Sequence, residues 1–324
     1  MEDSFQPSPW TRSPHLQTIF GSLGMRVRGR NEMTEASREV IVEAGGGVRL
    51  LGYHARQAGT PKGLVILLHG WEGSADSTYV LSTGRYLYRR GFEVFRLNLR
   101  DHGRSHHLNS GLFHGALLDE TAAAVDRASR CLPDRPAYLI GFSLGGNFAL
   151  RIALRQSKNP ISTLRRVFAI SPALDPYKST LAIDSGPAVY RSYFLAKWKR
   201  SLRRKERLFP GLYRFDEILR HRTCLAMTEA IMAYYPDFSS YRDYFGRYTL
   251  TGDALAPVAM PVTIFTSKDD PVVPVEDFYR LPGNARLEVS IQAHGGHCGF
   301  LQPFPWGCWY ERVIGRILEK ETAS

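Results

Sequence analysis

Residues 137–150 read AYLIGFSLGGNFAL, and this stretch decides the fold. Residues 137–142 have the apolar character of a buried strand, and residues 144–156 contain good helix formers. Between them lies a G-x-S-x-G pentapeptide centred on Ser143, whose glycines permit a strained bend and a close approach of neighbouring backbones. Such a pentapeptide alone arises by chance in roughly one chain in ten of this length. Together with its strand and helix, it predicts a nucleophile elbow with Ser143 at the tip.

Strand and helix patterns alternate on both sides of this elbow, after a segment, residues 1–38, that shows no clear periodicity. Short apolar runs predict strands, and longer segments of helix formers predict helices. Repeated βα units of this kind predict a doubly wound α/β fold, with a mostly parallel sheet covered by helices on both faces. The predicted strands are 39–43, 48–56, 64–68, 92–99, 137–142, 166–171, 262–266 and 287–292, and the other predicted segments are 78–90, 116–129, 144–156, 275–281 and 309–319.

One long interruption breaks the alternation. Residues 175–255 are rich in Tyr, Phe and Arg and do not follow the βα pattern, which predicts a cap or lid inserted between two strands of the sheet. The predicted organisation is a first core part with the N-terminal segment packed on it, the cap, and a second core part: residues 1–174, 175–255 and 256–324.

The candidate acid follows the strand at 262–266. A serine hydroxyl becomes a nucleophile only when a histidine accepts its proton and a carboxylate orients that histidine. In folds built around such an elbow, the acid and then the histidine follow the serine along the chain. Asp269 and Asp270 both lie in the turn after this strand, and the D-x-x-V-P spacing to Pro274 favours Asp270. Asp269 remains the alternative, with a hydrogen-bonding role in the turn if it is not the acid.

The candidate base lies in a glycine-rich loop after the last strand. Glycines on both sides of His297 give this loop the freedom to carry an imidazole back over Ser143. His294 is nearer to the end of the strand, and we interpret it as structural. The sequence therefore predicts His297 as the general base.

Two backbone amides are candidates for the oxyanion hole. Such holes combine the amide that follows the nucleophile with an amide from the loop after an early strand. Here these are the amides of Leu144 and Trp71, the latter within Leu-His-Gly-Trp at 68–71. We expect His69 to brace this loop rather than to take part in the chemistry.

The composition excludes several classes of protein. With 44% hydrophobic and 23% charged residues, the 324-residue chain is globular rather than disordered. Its four cysteines form no C-x-x-C pair and no dense cluster, which argues against a zinc module and against a disulfide-stapled secreted domain. The acidic, proline-bearing start lacks the features of a secretory signal, and no apolar run approaches the roughly 20 residues that span a bilayer. We therefore expect a soluble, cytoplasmic protein.

Neither a metal nor a cofactor is predicted. Four histidines share one loop but lack the spacing of a metal site: His102, His106, His107 and His114. Chemistry at a serine, a histidine and a carboxylate proceeds without a cofactor.

The net charge of +11 is concentrated in one segment. Between residues 185 and 222, eleven basic residues stand against three acidic ones, so this segment carries +8 and the rest of the chain +3. Residues 190–208 predict an amphipathic helix with one apolar face. We favour a solvated helix face packed on the core, with weak binding to an anionic membrane surface or an anionic substrate as the alternative. Nucleic acid is not a predicted partner, because neither a recognisable module nor clear stacking aromatics accompany the charge.

Several motifs give the chain a family resemblance. Besides the elbow, they are SPHLQT at 13–18, HGWEGS at 69–74, YRDYF at 241–245, DDP at 269–271 and GGHCGF at 295–300. Over nearly its whole length the sequence resembles the α/β-hydrolase superfamily and, within it, the branch of YheT-like bacterial and EMB8-like plant proteins. The resemblance implies an α/β-hydrolase fold with a helical cap and a catalytic triad of Ser143, Asp270 and His297. One departure is RDHGRS at 100–105, where many members carry Gly in place of Asp101.

The residues and the resemblance together predict an enzyme that acts on esters. Members of the branch are described as acting on short- and medium-chain esters, on monoacylglycerols or phospholipids, or as alcohol acyltransferases. We expect a serine hydrolase that cleaves short- to medium-chain esters of small molecules through an acyl-enzyme. Acyl transfer to an alcohol, and a non-catalytic binding role on the same scaffold, remain alternatives. Cap aromatics predict an apolar acyl pocket, namely Trp198, Tyr213, Tyr234, Tyr235 and Phe238.

Overall fold

One sheet organises the protein. A computed structural model describes residues 4–303 and 306–323, and eight strands of this part form the sheet. The strands are β1 (Ser37–Glu43), β2 (Arg49–Ala55), β3 (Leu64–Leu68), β4 (Glu93–Leu97), β5 (Ala137–Phe142), β6 (Leu164–Ile170), β7 (Val262–Ser267) and β8 (Leu287–Gln292). Their order across the sheet is β1-β2-β4-β3-β5-β6-β7-β8. Strand β2 is antiparallel to both of its neighbours and all other neighbours pair in parallel, which confirms the predicted α/β fold.

The N-terminal segment contains a helix that hydrophobic spacing did not reveal. Helix α1 (Pro14–Ser22) begins with proline at its first position, where the missing N–H costs nothing. Its buried residues are Gln17, Thr18 and Gly21, so its buried face carries polar and small side chains rather than an apolar stripe. A one-turn helix, α2 (Glu32–Glu35), follows before β1.

Helices cover both faces of the sheet. Helices α3 (Thr78–Tyr88), α4 (Leu118–Ser129) and α5 (Leu144–Arg155) connect successive parallel strands. The buried side chains of β3 alternate between two apolar clusters, one shared with α4 and α5 and the other with α3 and the last helix. All five residues of β3 are fully buried, as its continuous apolar sequence predicts. The segment predicted at 275–281 is a 3-10 helix, Val275–Arg280.

Five α-helices lie in the insertion between β6 and β7, which we call the helical insertion (residues 175–255). They are α6 (Pro176–Ser185), α7 (Ala188–Leu208), α8 (Asp216–Arg220), α9 (Cys224–Ile231) and α10 (Tyr241–Gly246). The last helix, α11 (Trp309–Ala323), follows β8 and lies outside the insertion. Buried residues of the insertion join the apolar cluster of α4 and α5, so it covers that side of the core. Within the described ranges, no helix combines the length and the apolar character needed to cross a membrane.

Candidate active site

Ser143 lies at the tip of the turn between β5 and α5. Its backbone has φ 52° and ψ −117°, a conformation with positive φ that a residue with a side chain adopts only under constraint. The constraint comes from close packing of the turn. A Cβ atom on Gly141 would lie 2.1 Å from the Gly145 carbonyl oxygen, and one on Gly145 would lie 2.4 Å from the His69 carbonyl oxygen. The two glycines are therefore required, and the turn holds Ser143 at the carboxyl end of β5.

A buried carboxylate orients an imidazole at the same edge of the sheet. Asp270 follows β7 and His297 follows β8, whose carboxyl ends lie side by side. His297 Nδ1 is 2.9 Å from Asp270 Oδ2 and 3.1 Å from Oδ1. The amides of Val272 and Val273 donate to Asp270 Oδ1 at 2.8 and 2.9 Å and hold the carboxylate in place. Burial is the largest single influence on the pKa of His297 and would lower it, but the charge and hydrogen bond of Asp270, together with those of Cys298, outweigh burial and raise this pKa well above its ordinary value.

Asp269, the other candidate acid, has different partners. Its Oδ1 accepts a hydrogen bond from the amide of Gly296 at 2.9 Å. Its Oδ2 lies 3.4 Å from Nδ1 of His294. Asp269 therefore anchors the loop that carries His297, with His294 beside it. The structure brings Asp270, and not Asp269, to the His297 imidazole.

Ser143 and the His297 loop share an anchor at the end of β6. The Ile170 carbonyl oxygen accepts a hydrogen bond from the Ser143 amide at 2.9 Å, and Cys298 Sγ donates to the same oxygen at 3.6 Å. Within the described residues, however, no hydrogen bond joins the Ser143 hydroxyl to His297. Such contacts are often long in a site without substrate and tighten in the complex.

The loop after β3 leaves one amide free beside Ser143. A Cβ atom on Gly70 would lie 3.0 Å from the Ser143 Cβ, so this loop runs directly against the serine. Among the described residues, the amide of Trp71 has no acceptor. The other amides from residue 70 to residue 75 all have one: Gly70 donates to Tyr79 Oη, Glu72 to His102 Nε2, Gly73 to the Gly70 carbonyl, Ser74 to Ser77 Oγ and Ala75 to Asn98 Oδ1.

The second amide predicted for the oxyanion hole is also available. Leu144 is the first residue of α5, and the first amides of a helix have no partner within the helix. Leu144 follows Ser143 directly in the chain, and the loop that carries Trp71 packs against Ser143, so both amides belong to segments beside the serine. Donors that stabilise an oxyanion come from segments of this kind.

Two buried histidines hold the Trp71 loop. His69 Nδ1 donates to the Gly70 carbonyl at 2.8 Å, and its Nε2 accepts a backbone amide after β4 at 3.1 Å. His102 Nδ1 donates to a backbone carbonyl at 2.7 Å, which leaves its Nε2 to accept the Glu72 amide at 3.1 Å. Burial lowers the pKa of His102 to about 4 and the pKa of His69 well below its ordinary value, so both rings are neutral near pH 7 and keep these roles. The role of His102 was not predicted, because its position in a four-histidine loop carries no sequence signal for it.

Helix α1 packs directly on the loop that carries His297. The His297 amide donates to Thr18 Oγ1 at 2.9 Å. A Cβ atom on Gly299 would lie 2.5 Å from the Gln17 carbonyl oxygen, so helix and loop approach backbone to backbone. The motifs at 13–18 and 295–300 are therefore two sides of one contact.

An apolar cavity opens onto Ser143. The empty space within and in front of it is about 780 Å³, which includes space open to solvent. At its wall, Trp71 stacks on Phe194 of α7 with ring centroids 5.2 Å apart and packs edge-on against Trp198 at the same distance. The helical insertion supplies much of the remaining wall, including Ile183, Ile231, Tyr235 and Tyr244.

Two of the five aromatic residues predicted for an acyl pocket line this cavity. They are Trp198 and Tyr235. Tyr213 and Tyr234 instead pack around Phe215, with ring centroids 5.3 and 5.2 Å from its own. Phe238 does not line the cavity; its ring centroid lies 5.2 Å from that of His114. The prediction was wrong for these three because aromatic content does not show which helix face meets the cavity.

A buried ion pair fastens the helical insertion to the core. Lys205 of α7 is 1% exposed, and its ammonium lies 2.7 Å from Asp101 Oδ1. The same ammonium donates to the carbonyls of Asn109 and Gly111 at 2.7 and 2.8 Å. Asp101 Oδ2 accepts the amide of Phe113 at 3.0 Å. Asp101, which departs from the family pattern, is thus the partner of a lysine in the insertion.

The basic residues between 185 and 222 fall into two groups. Five have side chains that bind other residues of the protein: Lys205 to Asp101, Arg191 to the Asp184 carbonyl, Lys197 to the Glu72 carbonyl, Lys199 to the His221 carbonyl and Arg204 to the Gly103 carbonyl. Six are exposed: Arg200, Arg203, Arg207, Arg214, Arg220 and Arg222. Helix α7 therefore both attaches the insertion to the core and presents positive charge to solvent.

The histidines of the loop at 102–114 have separate surroundings. His102 binds the Glu72 amide, and His106 Nε2 pairs with the Ser201 hydroxyl at 2.8 Å. His114 lies among aromatic rings in the cavity wall. Across residues 4–303 and 306–323, no three or more His, Cys, Asp or Glu side chains are arranged to hold a metal ion.

The family follows from a match over most of the chain. Residues 65–306 match the family described as alpha/beta hydrolase family, and the chain belongs to it. The matched residues run from β3 through β8, so they include the elbow, the Asp270–His297 pair and the helical insertion.

Curated relatives indicate which branch of the alpha/beta hydrolase family this chain resembles. YheT of Escherichia coli (strain K12), whose name assigns it esterase activity only provisionally, is 24% identical over 89% of this chain and 84% of its own. ABHD2 of Danio rerio, a monoacylglycerol lipase, is 22% identical over 95% of this chain and 77% of its own. A monoacylglycerol lipase of Saccharomyces cerevisiae is 23% identical over 80% of this chain and 59% of its own. The match to YheT confirms the predicted branch of the family.

Solved structures show the same fold at low sequence identity. The esterase Pf2001 of Pyrococcus furiosus matches with a TM-score of 0.54 and 17% identity, covering 88% of this chain and 92% of its own. The serine hydrolase CCSP0084 of Cycloclasticus zankles matches with a TM-score of 0.57 and 13% identity, covering 87% and 98%. At these identities the likeness extends to the fold alone.

Proposed function

We propose that the protein is a serine hydrolase that cleaves short- to medium-chain carboxylic esters of small molecules. The observation that carries this proposal is the elbow Ser143 at the sheet edge that also holds the buried Asp270–His297 pair. The free amide of Trp71 and the apolar cavity over Ser143 add an oxyanion site and room for an acyl chain. The helical insertion serves as the cap that covers the acyl chain. Relatives named as an esterase and as monoacylglycerol lipases support the same chemistry.

The proposed reaction has two steps. His297 accepts the proton of Ser143 as Oγ attacks the ester carbonyl carbon, and Asp270 stabilises the imidazolium that forms. The amides of Trp71 and Leu144 stabilise the oxyanion. The imidazolium then protonates the leaving alcohol, which leaves the acyl group on Ser143. A water molecule, deprotonated by His297, attacks this acyl-enzyme, and the imidazolium returns the proton to Ser143 Oγ as the carboxylic acid leaves. No step of this reaction needs a metal or a cofactor.

Replacing Ser143 by alanine tests the nucleophile directly. We expect a fluorophosphonate probe to label the wild type and to leave Ser143→Ala unlabelled, because only an activated serine reacts with it. Hydrolysis of p-nitrophenyl butyrate by the variant should fall by about 10⁴-fold or more. Ser192→Ala, at an exposed serine of α7, is the matched control and should keep both properties. Equal labelling of Ser143→Ala and the wild type would overturn the proposal.

We also propose that the exposed arginines of the helical insertion bind weakly to anionic membrane surfaces. Attraction of this kind grows with the number of basic side chains near the surface and weakens as salt screens it. We expect cosedimentation with phosphatidylserine-containing vesicles at low salt and none with phosphatidylcholine vesicles. The triple variant Arg200→Gln/Arg203→Gln/Arg207→Gln should lose most of this binding. Equal binding to both vesicle types, or no effect of the triple variant, would contradict the proposal.

A further inference from the structure

His114 is an imidazole set into the aromatic wall of the cavity that contains Ser143. The rings of Tyr235, Phe238 and Tyr244 surround it, with ring centroids 5.1, 5.2 and 6.3 Å away and interplanar angles of 64°, 86° and 87°. Edge-to-face contacts of this kind restrict the orientation of a ring. The imidazole is therefore presented to the cavity in a restricted orientation.

Neither ring nitrogen of His114 has a hydrogen-bond partner in the part of the chain that the structure describes. Nδ1 is buried as well as unpaired. Burial, with a smaller contribution from the charge of Arg100, lowers the pKa of His114 to about 4. At neutral pH the ring is uncharged and offers one N–H donor and one acceptor nitrogen. Buried polar groups are nearly always paired, so an unpaired imidazole in a cavity wall calls for a ligand.

Four other polar side chains in the cavity wall already have partners. The hydroxyls of Ser179, Thr180 and Thr228 donate to backbone carbonyls one helical turn earlier, at 3.0, 2.8 and 2.9 Å. The Tyr235 hydroxyl donates to a backbone carbonyl at 2.7 Å. His114 differs from all four, because neither of its nitrogens has a partner among the described residues.

We propose that the cavity selects acyl chains that carry a hydroxyl group beyond the ester carbonyl, and that His114 is the specificity-determining residue that binds this hydroxyl. The inference rests on the proposed ester hydrolysis, because it names the acyl group that Ser143 would receive. The apolar wall accommodates the hydrocarbon part of such a chain. A hydroxyl both donates and accepts, so it fits the neutral imidazole in either tautomer. A plain hydrocarbon chain would enclose the imidazole without pairing it, which penalises that substrate.

The test compares p-nitrophenyl octanoate with its monohydroxylated analogues, in which the hydroxyl is moved along the chain. We expect the wild type to hydrolyse the best hydroxylated ester with a kcat/KM about tenfold above that of octanoate, the effect of one well-placed hydrogen bond. His114→Phe should reverse this preference, because phenylalanine fills the same space without a polar atom. His114→Gln, which keeps a donor and an acceptor, should retain part of it.

His107→Phe is the matched control, since His107 lies in the same loop but is exposed. This variant should keep the wild-type preference. Selectivity is a ratio between two substrates of one enzyme preparation, so partial unfolding of a variant does not alter it. The same ratio in the wild type and in His114→Phe would overturn the inference and leave the proposed hydrolysis intact. Failure of the wild type to hydrolyse any ester in the series would instead overturn the proposed function.

Discussion

Replacing Asp270 by asparagine should lower kcat for ester hydrolysis by about 10⁴-fold, the effect of removing the carboxylate of a serine triad. The Asp270 carboxylate accepts the Nδ1 proton of His297. In the proposed reaction this leaves Nε2 free to take the proton of Ser143. An asparagine in its place removes the negative charge that stabilises the imidazolium. The loss should appear in kcat for p-nitrophenyl esters, while fluorophosphonate labelling becomes slow.

The pH dependence of the same variant gives a second readout. A general base works in its neutral form, so kcat/KM of the wild type should rise with pH through the pKa of His297. The charge of Asp270 raises that pKa, so removing the charge should move the inflection of Asp270→Asn to lower pH. An unchanged inflection would contradict the assigned pairing.

Asp269→Asn is the matched control for the acid. Its side-chain oxygen can still accept the Gly296 amide, so the loop should keep its position. We expect its activity to stay within a few fold of the wild type. An inactive Asp269→Asn beside an active Asp270→Asn would show that the other carboxylate is the acid.

Replacing Lys205 by methionine should lower the free energy of unfolding by about 3–5 kcal/mol, because it leaves the Asp101 charge buried without a partner. Burial raises the pKa of Asp101 and lowers the pKa of Lys205, so each charge depends on the other. Two backbone carbonyls that accept from the ammonium would also lose their donor. Unfolding in urea, followed by circular dichroism, measures the effect.

The matched control is Arg203→Met, at an exposed position of the same helix. Surface changes of this kind shift stability by roughly 0.5 kcal/mol or less. The double variant Asp101→Asn/Lys205→Met removes both charges and should be more stable than Lys205→Met alone by about 1–2 kcal/mol. If Lys205→Met is as stable as Arg203→Met, the ion pair does not fasten the insertion.

The parts of the fold that the sequence predicts are those that depend on local pattern. Strand β3 is a continuous apolar run because both of its faces are covered, and the elbow at Ser143 combines a strand, two glycines and a helix within a few residues. The choice of Asp270 over Asp269 also has a local cause. The amides two and three residues after Asp270 bind its carboxylate, which the D-x-x-V-P spacing reflects.

The features that the sequence does not predict are polar contacts between distant segments. Lys205 and Asp101 are 104 residues apart, and a lysine on a strongly basic helix gives no sign that it is fully buried and paired with a carboxylate. His102 acts through its Nε2 on a loop 30 residues earlier. Hydrophobic periodicity reports burial of apolar side chains, so it is silent about both contacts.

The contact between α1 and the His297 loop bears on when the protein can become active during its synthesis. Thr18 and the His297 amide it binds are separated by 279 residues. The ribosome synthesises Thr18 early and His297 late. Helix α1 therefore cannot form its contact with the His297 loop until the chain across this 279-residue separation has been synthesised. The residues that pack the Ser143 turn, His69 and Ile170, are synthesised well before that moment. A nascent chain would then carry Ser143 without the Asp270–His297 pair, and the candidate site would assemble only when both distant segments meet.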